Sequence, residues 1–81
     1  MTVRVKLFAL VAQLAAADEI EVRLDVGVSI GDLRKALANQ YPALAAIMPH
    51  LLFAVNSAYA TDPTLIPEGA EIACIPPVSG G

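Results

Sequence analysis

The chain has 81 residues, the length of one small domain. Hydrophobic residues make up 57% of it and charged residues only 16%, which excludes a disordered chain, since disordered segments are poor in apolar residues and rich in charge. Cys74 is the only cysteine, which excludes an intrachain disulfide framework. The net charge is −3 with five Lys and Arg residues, which excludes a protein that neutralises a row of nucleic-acid phosphates.

The first residues admit two interpretations. Arg4 and Lys6 followed by Leu7–Ala12 and the small residues 15–17 would fit a signal peptide. The regular alternation of valines with Arg4 and Lys6 favours a half-buried strand instead. No stretch reaches the roughly 20 consecutive apolar residues of a transmembrane helix. We therefore expect a cytoplasmic chain that binds neither a membrane nor nucleic acid.

Alternation and composition predict the next elements in turn. Residues 2–9 are predicted to form a strand, and residues 10–17, rich in Ala and Leu, favour a short helix. Residues 20–26 show the clearest apolar–polar alternation, so they predict a second strand with one solvated face. We expect this strand to lie antiparallel to the first.

A capping signal predicts where the principal helix begins. Ser29 fits the N-cap and Asp32 the third helical position of a capping box. The apolar residues that share one face of this helix are Ile30, Leu33, Leu37 and Tyr41. Pro42 is expected to end the helix, and residues 43–48 are expected to add one short turn.

The rest of the chain predicts further strands at residues 51–56, 58–60 and 70–75, with a turn at Asn56–Ser57. This order predicts an α+β fold of the β-grasp, ubiquitin-like type. It would hold a mixed sheet of four to five strands, with the first and last strands central and parallel, and one principal helix packed on one face. Residues 1–75 would form this domain, and residues 76–81 a flexible tail.

The side chains offer little chemistry of their own. His50 is the only histidine, and it has no cysteine or second histidine at ligand spacing, so no metal site is predicted. Cys74 falls within the last predicted strand. We expect it to be a small buried residue and not a reactive thiol.

The C-terminal segment is the exception. It consists of Pro76, Pro77, Val78, Ser79, Gly80 and Gly81. The two prolines stiffen its base, and the final glycines have no Cβ, so the thread can enter a narrow channel. Its reactive group is the terminal carboxylate of Gly81. Once this carboxylate is adenylated, a sulfur nucleophile gives a thiocarboxylate and an amine gives an isopeptide bond, with all catalytic residues supplied by partners.

Three segments carry a family resemblance: Val5–Ala9, Leu52–Asn56, and Gly69–Ala73 with the Pro-Pro-Val-Ser-Gly-Gly end. They resemble the small, sulfur-carrying subunits of molybdopterin synthase, a ubiquitin-like family, over essentially the whole chain. The resemblance implies that an E1-like adenylyltransferase uses ATP to adenylate Gly81, which is then converted to a thiocarboxylate. It further implies sulfur donation to cyclic pyranopterin monophosphate in the active site of the large subunit, with no cofactor bound by this chain.

The resemblance also implies how the partner docks. The family assembles as a heterotetramer of two small and two large subunits, and the positions that match its hydrophobic docking surface are Phe8, Tyr59 and Ile75. Tyr59 and Ile75 replace other apolar residues there, and residues 11–17 lack the Arg-Glu pair and the Gly of many members. The charged residues of this chain concentrate on the helix and second strand, so we expect them to lie away from the docking face.

Three other functions stay open at this point. The chain could carry sulfur for thiazole synthesis or for thiolation of tRNA, since those carriers share the fold and the Gly-Gly end. It could be a protein modifier attached to lysines through Gly81. It could also be a non-covalent interaction domain whose C-terminal segment has no role.

Overall fold

The computed structural model describes residues 1–77, and Val78–Gly81 lie outside the described residues. The strands are β1 (Thr2–Leu7), β2 (Glu19–Arg23), β3 (Leu52–Val55), β4 (Ala58–Ala60) and β5 (Glu71–Ile75). The helices are α1 (Leu10–Ala15), α2 (Ile30–Gln40) and α3 (Pro42–Ala45), followed by a 3₁₀ turn at Met48–His50. No helix within residues 1–77 is long and apolar enough to cross a membrane.

The strands form one sheet in the order β2-β1-β5-β3-β4. β1 and β5 pair in parallel at its centre, and the other neighbouring strands pair antiparallel. A parallel pair needs a long crossover, which here contains α2. The predicted fold class, a mixed β-grasp sheet with one principal helix on one face, is confirmed.

Alternating valines build the core side of the sheet. Val3, Val5 and Leu7 of β1 are buried, while the residues between them are exposed. The buried residues of α2 that complete this core are Ile30, Leu33 and Leu37. One face of the sheet is thereby closed by helix, and the period of two along β1 turns every other side chain to the opposite face.

The predicted capping box fixes the start of α2. The Ser29 amide donates to Asp32 Oδ2 at 2.9 Å, and the Asp32 amide donates back to Ser29 Oγ at 3.3 Å. The hydrogen bonds from the Ser29 backbone and hydroxyl lower the pKa of the Asp32 carboxyl group, because they favour its charged form. The helix therefore begins where the sequence predicts.

The element ends differ from the predicted ones for backbone reasons. β1 stops at Leu7 because Ala9 has a φ of 52°, a conformation that cannot continue a strand. β2 stops at Arg23, although the alternation continues to Val26, because Arg23 already pairs with Thr2 at the start of β1. Register with a partner, and not alternation, sets the strand length.

Pro42 has a different role from the predicted one. α2 ends just before it, as predicted, but Pro42 then occupies the first turn of the new helix α3. A proline fits there because its missing N–H would have no partner in a first helical turn. The single turn expected over residues 43–48 is accordingly split into α3 and the 3₁₀ turn.

Arg34 joins α2 to the two segments that follow it. Its Nη1 donates to the carbonyl oxygens of Met48 and Leu51, and its Nε and Nη2 donate to Asp62 Oδ1 at 3.1 and 2.9 Å. The guanidinium also lies 4.9 Å from the centroid of the Phe53 ring. Because its planar fork satisfies several acceptors at once, Arg34 holds the 3₁₀ turn and the loop at Asp62 against α2.

We expect Arg34→Met to lower the free energy of unfolding by about 2–3 kcal/mol, because the Leu51 carbonyl loses the donor that Arg34 supplies, the Met48 carbonyl keeps only the Leu51 amide, and the bonds to Asp62 are lost. Lys35→Met is the matched control, since Lys35 is exposed on the same helix and should change stability by less than about 0.5 kcal/mol. Urea unfolding followed by circular dichroism measures both values. Equal effects of the two substitutions would contradict the role of Arg34.

Candidate functional site

The face of the sheet opposite α2, here called the open face, has a charged half and an apolar half. The charged half lies on β2, β1 and the start of β5 and presents Arg4, Lys6, Glu19, Glu21, Arg23 and Glu71. The apolar half lies on β5, β3 and β4 and presents Leu52, Ala54, Tyr59, Ala73 and Ile75. Leu52 and Tyr59 on this face are among the large apolar side chains that so small a domain leaves exposed.

A groove of about 330 Å³ crosses the apolar half. Phe8, Tyr59 and Ile75 all line it, so the structure brings together the three residues predicted to dock a partner. Phe8 is 46% exposed and Tyr59 71% exposed, although both are large and aromatic. Large apolar side chains held at the surface around a shallow groove are typical of protein-binding sites. Their docking role itself stays a prediction.

Strand register explains why these three residues meet. In the parallel pair β1–β5, Leu7 lies opposite Cys74, so Phe8, which directly follows β1, comes close to Ile75 at the end of β5, and both line the groove. Tyr59 joins them through Ala54, which lies opposite Tyr59 on one side and Ala73 on the other. Residues far apart in sequence thus form one surface.

A tight turn sets the register of Tyr59. Asn56 and Ser57 connect β3 to β4 with positive φ values of 49° and 70°, the signs of a type I′ hairpin turn. The side chain of Asn56 also accepts a hydrogen bond of 3.0 Å from the Glu71 amide, which ties the turn to β5. Ser57, which the sequence predicted only as a turn residue, also lines the groove.

The C-terminal segment leaves the sheet at this groove. Pro76 and Pro77 follow β5 directly, and Pro76 is half-buried while Pro77 is exposed. Since Ile75 lines the groove, a partner seated there is next to the departing chain. The predicted tail residues Val78, Ser79, Gly80 and Gly81 lie outside the described residues, and the chemistry of Gly81 stays a prediction.

An ion pair borders the apolar residues of the groove. Lys6 Nζ lies 2.9 Å from Glu71 Oε1, and both residues line the groove with Phe8. The hydrogen bond and charge of Glu71 raise the pKa of Lys6, and those of Lys6 lower the pKa of Glu71. The expectation that charge avoids the docking face is therefore wrong, because β1 and β2 turn their charged side chains to the same face.

Cys74 and His50 lie outside the groove. Cys74 is fully buried on the core side of β5, and desolvation by burial raises the pKa of its thiol to about 12 against a smaller lowering by the charge of Arg34. His50 is exposed at the end of the 3₁₀ turn. Within residues 1–77, no group of three or more His, Cys, Asp or Glu side chains is placed to hold a metal ion.

The sequence profile of the ThiS family matches residues 5–81, nearly the whole chain. The chain belongs to this family. The molybdopterin synthase sulfur carrier subunit of Chlamydomonas reinhardtii is 34% identical over 83 residues, which cover 100% of both chains. The resemblance to molybdopterin synthase small subunits is therefore confirmed.

Two solved structures place the ThiS family member among known folds. The crystal structure of small archaeal modifier protein 1 from Haloferax volcanii superposes with a TM-score of 0.88, at 30% identity and 100% coverage of both chains. The complex of subunits 1 and 2 of the molybdopterin-converting factor from Helicobacter pylori gives a TM-score of 0.70 at 21% identity, again over 100% of both chains. The second match shows the shared fold alone.

We expect Cys74 to resist alkylation by iodoacetamide at pH 8 in the folded chain and to react once urea unfolds it, because burial keeps the thiol protonated until the pH approaches its raised pKa of about 12. A matched control carries Cys74→Ala with Ala73→Cys, which moves the thiol one residue along β5 to the open face. Mass spectrometry should find this variant alkylated while folded. Equal labelling rates in both folded chains would contradict the assignment.

Proposed function

We propose that this ThiS family member is the sulfur carrier of molybdopterin synthase, acting through a thiocarboxylate at Gly81. The observation that carries the proposal is the apolar groove of Phe8, Tyr59 and Ile75 at the point where the chain leaves the sheet toward its Gly-Gly end. Several relatives that match over the full chain are molybdopterin synthase sulfur carrier subunits. A binding face and a narrow acyl-bearing thread are the two parts that such a carrier needs.

The chemistry follows from the carboxylate. An E1-like adenylyltransferase joins it to AMP from ATP and releases pyrophosphate, because an unactivated carboxylate is a poor electrophile. A sulfur donor then displaces AMP and leaves the thiocarboxylate. In the large subunit, this sulfur is transferred to cyclic pyranopterin monophosphate. Two carriers, each bearing a thiocarboxylate, supply the two sulfurs of one dithiolene. The carrier's own side chains take no part, so both enzymes must recognise it by its surface.

The apolar lining of the groove favours a partner with a complementary apolar surface. We propose that the large subunit covers Phe8, Tyr59 and Ile75 and receives the thread that follows Pro77, in an assembly of two small and two large subunits. The Helicobacter pylori structure of the same fold is a complex of subunits 1 and 2 of a molybdopterin-converting factor. Docking beside the exit of the thread would bring the acyl group toward the partner's active site.

A second candidate is a protein modifier joined to lysines through Gly81. It is favoured by the match to small archaeal modifier protein 1, which covers 100% of both chains at 30% identity. Both functions begin with the same adenylate and differ in the nucleophile that follows. The product distinguishes them, since a modifier leaves isopeptide conjugates and a sulfur carrier leaves a thiocarboxylate.

Intact-mass measurement tests the carrier. After incubation with the activating enzyme, ATP and a sulfur source, we expect the mass to rise by the difference between sulfur and oxygen, with the change on the C-terminal peptide. A chain that lacks Gly81 should stay unchanged in mass and lose all activity in molybdopterin formation while keeping its unfolding midpoint. The absence of this mass change would overturn the sulfur-carrier proposal. Conjugates that survive denaturing gels would favour the protein modifier instead.

Partner binding tests the groove. We expect Tyr59→Ala to weaken binding to the large subunit about tenfold, since aromatic residues dominate the binding energy of such surfaces. Leu65→Ala is the matched control, because Leu65 is a similarly exposed apolar residue that does not line the groove. Isothermal titration calorimetry gives both affinities. Weakening by Leu65→Ala equal to that by Tyr59→Ala would count against the groove.

A further inference from the structure

The Lys6–Glu71 ion pair borders the apolar residues of the proposed docking groove, although charge opposes the burial that docking requires. Lys6 and Glu71 line the groove together with Phe8, Tyr59 and Ile75. In the chain alone both side chains keep about half of their surface or more in water, at 49% and 65% exposed. A partner that covers the groove removes this water from both charges.

The pair is arranged to survive that loss of water. Its 2.9 Å separation lets the ammonium group donate directly to the carboxylate, so each charge has a partner within the chain. The raised pKa of Lys6 and the lowered pKa of Glu71 keep both groups charged throughout the neutral range. The neighbouring charges across the strands are Glu19 beside Lys6 and Arg4 beside Glu71, and Arg4 is directed to Glu21 at 3.8 Å.

We propose that the Lys6–Glu71 pair is a specificity element of the docking groove, buried intact by a partner that is apolar and uncharged directly opposite it. This inference rests on the proposed docking of the large subunit. An intact pair enters the interface as a nearly neutral unit. A partner with a single charge at this point would repel one member of the pair and compete for the other, and it would be rejected.

A double-mutant cycle tests the proposal in the complex with the large subunit. Lys6→Met removes the ammonium that lies 2.9 Å from the Glu71 carboxylate and leaves that carboxylate only its cross-strand neighbour Arg4. Glu71→Gln leaves the Lys6 ammonium only its cross-strand neighbour Glu19. We expect each to weaken binding about tenfold, because a desolvated charge without its partner is costly. The double variant leaves no lone charge, so its affinity should return to within about threefold of the original chain.

Arg4 and Glu21 supply the matched control. They form a cross-strand pair of the same kind on the same face, but they line a separate depression away from Phe8. Arg4→Met and Glu21→Gln should each change the affinity by less than about twofold, as exposed pairs do. All variants should keep the unfolding midpoint of the original chain, which separates lost docking from lost folding.

The outcomes separate this inference from the function on which it rests. Recovery of affinity in the double variant supports the intact pair. If all three variants bind as tightly as the original chain, the pair lies outside the contact. If the double variant binds more weakly than either single variant, the partner contacts one charge directly. Either result overturns the inference but leaves the docking groove standing. If Tyr59→Ala does not weaken binding, the groove and this inference fall together.

Discussion

The parallel pairing of β1 with β5 is the constraint on which the rest of the structure depends. A parallel pair cannot be closed by a tight turn, so the chain between the two strands must cross over one face of the sheet, and α2 lies in this crossover. The helix covers that face and leaves the other open. The same pairing sets Phe8 beside Ile75 and brings the end of the last strand to the end of the first. The core, the apolar groove and the position of the departing chain therefore all depend on this pairing.

The open face shows how a chain of this size can carry so much apolar sequence. Its apolar half leaves Leu52 and Tyr59 exposed at the surface, and its charged half keeps the remainder of the sheet solvated. The division follows the strands, since Arg4 and Lys6 of β1 and the outward residues of β2 are charged while those of β3 and β4 are apolar. The two edge strands of the sheet also oppose pairing with a strand of another chain, because β2 presents charged side chains and β4 has only three residues, Ala58–Ala60.

Local sequence signals predicted the helices and strands. The strand ends and the contacts between distant residues depend on long-range pairing, which local signals do not show. The capping box at Ser29, the alternation of β1 and the prolines at 76 and 77 act within a few residues, so the sequence displays them directly. The end of β2 depends on where β1 begins, and the Lys6–Glu71 pair depends on the parallel register, neither of which is written in a local pattern. Arg34 was missed for the same reason, because all its acceptors belong to residues distant in the chain.

The inward direction of Cys74 has a chemical consequence for a carrier of this kind. An acyl adenylate at Gly81, as proposed, would react with any accessible thiolate, and a cysteine in the carrier itself would be at a high effective concentration. On β5 a shift of one residue would have turned the sulfur to the open face beside the departing chain. Burial in the core instead keeps the thiol protonated and out of reach. In the proposed function, the fold would thus prevent the carrier from capturing its own activated end and would leave the choice of nucleophile to the enzymes that bind it.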